Sequence, residues 1–176
     1  MKKIFITIFC TIIFTVSAEA TVITGGVKYD INSAKDAVMT TQPPFLSSQL
    51  VKNNILDPNS NTNNSALLRG ITELKDRTLA QFSDGSYGII YKNNPTNVFY
   101  YNTNGYLTHI ELKDSVEYPY KAYKYDTLGN LINISLRTSE EETFIFNPSG
   151  KLIAHWVKSQ CFDENNNVIM TRKIYK

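Results

Sequence analysis

From about residue 72 to the C-terminus, apolar and polar side chains alternate with a period of two, as in strands that bury one face. The runs Arg77–Phe82 and Ser86–Lys92 flank Ser83-Asp84-Gly85, and Asp-Gly between two such runs marks a hairpin. Further strand-like runs fall at 97–102, 106–113, 120–125, 130–137, 142–147, 151–158 and 167–175. Every link is short enough for antiparallel neighbours. The pattern predicts a mostly β protein: an antiparallel meander of about eight to ten strands over 72–176. The N-terminal segment, 21–58, reads differently. Ser33-Ala34-Lys35-Asp36 has capping-box spacing, and Ala34, Ala37 and Val38 share a helical face, which predicts a helix over 33–41 ended by Pro43-Pro44. Phe45, Leu46, Leu50 and Val51 predict a second short amphipathic turn. One or two short helices therefore pack on the sheet or cap an end. Residues 59–65 (N-S-N-T-N-N-S) form a polar linker with nothing to bury, leaving 66–176 as the β domain.

One phrase recurs four times. It reads Tyr101-Asn102-Thr103-Asn104-Gly105-Tyr106-Leu107, then Tyr125-Asp126-Thr127-Leu128-Gly129-Asn130-Leu131, then Phe146-Asn147-Pro148-Ser149-Gly150-Lys151-Leu152. The last copy is Phe162-Asp163-Glu164-Asn165-Asn166-Asn167-Val168. Each is a tight turn feeding a strand. Counting from Gly105, Gly129, Gly150 or Asn166, the third, fifth and seventh residues give Thr108-Ile110-Leu112, Ile132-Ile134-Leu136, Ile153-His155-Val157 and Ile169-Thr171-Lys173. This set is expected to face the core. The fourth, sixth and eighth give His109-Glu111-Lys113, Asn133-Ser135-Arg137, Ala154-Trp156-Lys158 and Met170-Arg172-Ile174, expected to face water, a partner or another layer.

The tract from Tyr101 to Lys158 resembles the YD repeats of the Rhs and teneurin-type families, with Tyr125-Asp126-Thr127-Leu128-Gly129-Asn130-Leu131 followed by Arg137 as the nearest copy. The resemblance implies hairpins stacked into a spiral sheet. It covers about a third of the chain, and one copy carries the literal Tyr-Asp pair. The closed shell of those families needs many more repeats, so its cargo role is not implied. A component of a toxin–immunity or surface-display system is the function class the resemblance suggests. The tract from Arg77 to Arg172 also resembles a small exported bacterial protein.

Residues 1–20 read as a secretory signal peptide: Lys2 and Lys3, an apolar run from Ile4 to Val16, and Ser17-Ala18-Glu19-Ala20 as a cleavage site. Thirteen apolar residues are too few for a membrane span, which needs ~20. The expectation is export to the periplasm or beyond, with no membrane span after cleavage. Without Lys2, Lys3 and Glu19, the 18 basic and 16 acidic residues reduce to a net charge of +1. Charges of both signs are interspersed, which argues against nucleic acid as a partner. Cleavage leaves Cys161 as the one thiol, so no intrachain disulfide is expected.

Candidate chemistry is sparse. Cys161 and His155 are the minimum for a thiol nucleophile, and define an alternative reading as a thiol-dependent enzyme. A tight turn at Lys158-Ser159 would set Cys161 opposite Trp156 and Phe162 opposite His155, on opposite faces. His155 stands where two other copies have Ile110 and Ile134, and needs a hydrogen-bond partner there. Trp156 places a large ring on the polar face, where the N-terminal segment would cover it or a sugar ring or protein would stack on it. Trp156, His109 and Tyr106 are the candidate binding residues. Glu140-Glu141-Glu142 reads as a solvated hairpin tip. The Asp126 and Asp163 turns are oxygen-rich, yet turn chemistry accounts for them, and no metal or cofactor is expected. The first expectation is an exported, non-enzymatic β-repeat module that presents a surface to a protein or glycan.

Overall fold

A computed structural model of the chain describes residues 28–57, 66 and 68–171. The expected leader over 1–20, the connector over 59–65 and the last residues, 172–176, lie outside the described residues. The strands are β1 (Leu68–Glu73), β2 (Arg77–Phe82), β3 (Tyr87–Tyr91), β4 (Asn94–Tyr101), β5 (Leu107–Lys113), β6 (Tyr120–Asp126), β7 (Leu131–Arg137), β8 (Glu142–Phe146), β9 (Leu152–Val157), β10 (Gln160–Phe162) and β11 (Val168–Thr171). They form one antiparallel meander in chain order. Two strands escape the sequence pattern. Gly70 interrupts β1, and β10 has three residues, too few to show a period.

Asn102, Asp126, Asn147 and Asp163 build one and the same turn. The carbonyl of each accepts from the N–H of Gly105, Gly129, Gly150 or Asn166 at 2.9–3.2 Å, and its own N–H donates to the carbonyl one residue further on. Oδ1 of each accepts two more backbone N–H groups, those two and four residues ahead. This is a type I turn closed by a left-handed residue, with φ between 62° and 88°. Asn or Asp is required because its short side chain reaches its own turn amides. The Phe82–Ser86 turn has the same backbone bonds without the Asx side chain.

Each Asx turn is followed by a β-bulge. The register skips Thr108 between β4 and β5, Ile132 between β6 and β7, Ile153 between β8 and β9, and Ile169 between β10 and β11. All four are the third residue past the turn. A bulge adds one residue on one strand and so resets the in–out parity. This corrects the expected core face. The second residue, not the third, joins the fifth and seventh: Leu107 is fully buried with Ile110, while Ile153 and Ile169 are 45% and 54% exposed.

The helices are α1 (Ile31–Met39) and α2 (Ser48–Val51). Helix α1 begins two residues earlier than expected because Asp30, not Ser33, is its cap. Asp30 Oδ1 accepts from Ser33 N at 2.7 Å, and Ser33 Oγ accepts from Asp30 N at 2.9 Å. In the second amphipathic stretch Leu46 is buried but Phe45 is 91% exposed. Both helices lie on the aliphatic face, where Ala34, Val38 and Leu46 pack with Phe99, Ile110, Ile134, Leu136, Phe144 and Phe146. Full burial stabilises each large side chain by roughly 1.5–3 kcal/mol. Polar bonds hold this cover down: Tyr101 Oη donates to Asn54, Asn102 Nδ2 to Asp57, Lys121 Nζ to Thr41, and Tyr125 Oη to the Pro44 carbonyl. The described N-terminal residues, 28–57, thus cover this face, and Trp156 belongs to a separate cluster with Ile145, Ala154 and Cys161.

Candidate functional site

The side of the sheet opposite the helices carries the unusual chemistry. It was expected to meet water, a partner or another layer, and its side chains are buried: His109, Glu111, Ser135, Arg137, Ala154 and Trp156 are each at most 3% exposed. Cross-strand register sets the neighbours, since directly paired residues project to the same side. Tyr100 pairs with His109; Val98 with Glu111, and Glu111 with Lys124. Lys113 pairs with Ala122, and Ala122 with Ser135. The last row runs Tyr120, Arg137, Thr143, Trp156, Cys161. At one end lies an apolar cluster of Ala80, Ile90, Val98 and Tyr100, and at the other the Trp156 cluster. A charged patch separates them.

Three cations in this patch lie over tyrosine rings. Lys124 Nζ is 5.2 Å from the Tyr100 centroid, Lys113 Nζ 5.6 Å from Tyr120, and the Arg137 guanidinium 5.8 Å from Tyr118. Such contacts are strengthened by desolvation. The β5–β6 connection, 114–119, carries Tyr118 back so that it stacks on Tyr120 at 5.5 Å. Arg137 also ties down the β7–β8 tip, donating from Nε to the Ser139 carbonyl at 3.3 Å and from Nη2 to that of Glu140 at 3.2 Å.

Burial dominates the electrostatics. It pushes the Glu111 carboxyl up to about 7, against the pull of Lys113, Lys124, Arg137 and a hydrogen bond from Tyr100. It pushes His109 down to about 3, with the Lys124 charge acting in the same direction, so His109 is neutral at pH 7. Burial lowers Lys113 as well, and the neighbouring Arg137 charge adds to the effect. Among the described residues, Glu111 Oε1, Arg137 Nη1 and Thr143 Oγ1 are buried without a hydrogen-bond partner.

The candidates named from sequence separate. Trp156 and His109 lie buried on this face, at its two ends; Tyr106, at the β4–β5 turn, is 37% exposed. Cys161 pairs with Trp156 and Phe162 with His155, the register expected from a turn at Lys158-Ser159. Thiol and imidazole therefore project to opposite sides. His155 stacks on Phe144 at 3.9 Å, nearly parallel. Its Nε2 lies 3.1 Å from Glu142 Oε1; a carboxylate can only accept, so Nε2 carries the proton. The reading of Glu140–Glu142 as a solvated tip needs correction here. Glu142 is half-buried and also accepts from Thr138 Oγ1 at 2.6 Å, while Glu141 pairs with Lys158. Sequence reasoning passed over Lys124, Tyr100, Tyr118, Tyr120 and Thr143. Counting backward by twos from Asp126 would have placed Lys124, Ala122 and Tyr120 together.

Among the described residues, β11 is the last strand of the sheet. All four of its residues are exposed, with Val168 at 49%, Ile169 at 54% and Met170 at 44%. Among the described residues, no group of three His, Cys, Asp or Glu side chains could hold a metal ion, and no helix is long and apolar enough to cross a membrane. No protein-family model matches the chain, and no curated protein or solved structure matches it.

Proposed function

We propose that this chain is an exported, non-enzymatic module of YD-type hairpin repeats that binds a protein partner along the edge of its sheet. The observation that carries the reading is β11. Its position-two aliphatic, Val168, is 49% exposed, whereas Leu107 and Leu152 at the same place in earlier copies are 0% and 8% exposed. An edge strand offers a row of main-chain donors and acceptors to an incoming strand, and exposed alternate side chains give that strand something to select. Natural sheets usually blunt such an edge with charge or proline, and Val168-Ile169-Met170 does neither. Export rests on the residue pattern of 1–20, and the repeat type on the aromatic–Asx–x–x–Gly phrase. A thiol-dependent reaction finds no support, because the register turns Cys161 and His155 apart.

The test is capture with a paired control. Immobilised protein is exposed to an extract of the cell envelope and secreted fraction, beside Ile169→Asp and Met170→Lys variants of unchanged circular dichroism. The reading expects a protein partner retained by the wild type and reduced at least tenfold by both variants. Partners held equally by all three would remove the edge from the proposal. A glycan array run in parallel that binds wild type and variants alike would replace the protein partner with a sugar.

A further inference from the structure

The charged patch on the second face has open valences. Lys113, Lys124 and Arg137 share it with the Glu111 carboxyl, and the Asp126 and Glu140 charges act on His109 and Tyr118 at its margins. The Asp126 oxygens are taken by the amides of Leu128 and Asn130 and by the Asn130 side chain. Removing a charge from water costs several kcal/mol unless it is paired and hydrogen-bonded. Here Arg137, with no exposed surface, leaves Nη1 unused, and Thr143, its cross-strand partner at 3% exposure, leaves Oγ1 unused. A guanidinium N–H beside a hydroxyl is the donor pair that recognises an oxyanion. Lys113 lies over the Tyr120 ring, and Tyr120 pairs with Arg137 on the next strand.

We propose that this face binds a small oxyanion, a phosphate or carboxylate group, between Arg137 Nη1 and Thr143 Oγ1. The connection over 114–119 is the way in. Tyr118 lies over the guanidinium, yet is itself 37% exposed, and Val116 beside it is 55% exposed. Moving Tyr118 aside uncovers Arg137 without breaking the sheet. The bound anion pairs with the Arg137 charge and satisfies both open donors. The edge reading of β11 does not depend on it.

Calorimetric titration of the purified protein at low ionic strength and pH 7, with inorganic phosphate in one arm and acetate in the other, tests this. One saturable site is expected in at least one arm, and the stronger arm names the group. Thr143→Val keeps the shape and removes the hydroxyl; it is expected to weaken binding about tenfold. Arg137→Gln is expected to abolish it. Arg137 also anchors the 139–140 carbonyls, so if that variant does not fold, Thr143→Val decides. Tyr118→Ala is expected to speed association several-fold, and an unchanged rate would overturn the route. No saturable heat with either anion in folded wild type, or equal affinity in Thr143→Val, overturns the site.

Discussion

On one side of the sheet, Ile110, Leu136, Phe144 and Phe146 pack beneath α1; on the other, Glu111, Lys124 and Arg137 are as deeply buried and lie among tyrosine rings. The two sides differ in what burial costs. The aliphatic side gains free energy for every atom removed from water, and its cover is tied by four polar bonds at its margins. The charged side loses hydration and recovers it only where partners are well placed. Alternating sequence patterns specify the first kind of surface well, because a strand that is apolar on one side needs a lid. They say little about the second kind, because a row such as His109-Glu111-Lys113 reads as solvent-facing until the strands around it are in place.

The contrast can be broken most forcefully on the aliphatic side. Phe144→Ala should cost roughly 3–5 kcal/mol through lost burial and the cavity left behind, and should also leave His155 without its stacking partner. Denaturant unfolding measures this, and a loss below about 1 kcal/mol would mean that α1 does not seal the core.

On the charged side the expected signature is in pH. The Glu111 carboxyl titrates near 7 in the folded protein, above its ordinary 4.5, so the folded state binds more protons between those values. Stability contributed by the protonated form is complete below the ordinary value and falls as pH rises through about 7. Glu111→Gln should remove that slope and raise stability at pH 8 by on the order of 1–3 kcal/mol. Parallel stability–pH curves for wild type and variant would show that the carboxylate is better satisfied than its burial suggests.

Smaller effects sharpen the comparison. Asn147→Ala removes the side chain that receives the Ser149 and Lys151 amides, and should cost about 1 kcal/mol while leaving both faces intact. Cys161, 1% exposed beside Trp156, should react with a thiol probe only as fast as the protein opens globally. Rapid labelling of folded protein would mean that the second face is open there. The smallest effect is expected for Asp30→Ala: faster amide exchange at the start of α1, with β5 to β7 unchanged.

Residues 101–171 show how far the pattern carried and where it failed. The Asx turns, their glycines, the chain-order meander and the Cys161–Trp156 register are local, and each follows from a few neighbouring residues. The position of Thr108, Ile132, Ile153 and Ile169 was misjudged because a bulge is a property of two strands, invisible to counting along one. The start of α1 was misjudged because Asp30 and Ser33 offered overlapping caps, and geometry favoured the earlier one. Glu142 left the hairpin tip because His155, thirteen residues on, needed an acceptor.

By itself, then, the amino-acid sequence determined nine of the eleven strands, their turns and their chain order, since those depend on backbone sterics and on side chains bonding their own amides. Tertiary structure alone decided that the helices cover the aliphatic side, that Trp156 is buried away from them, and that Lys124, Tyr118 and Thr143 join Glu111 and Arg137 in one patch. Those outcomes depend on register and burial summed over many strands, where neighbours in space are distant along the chain.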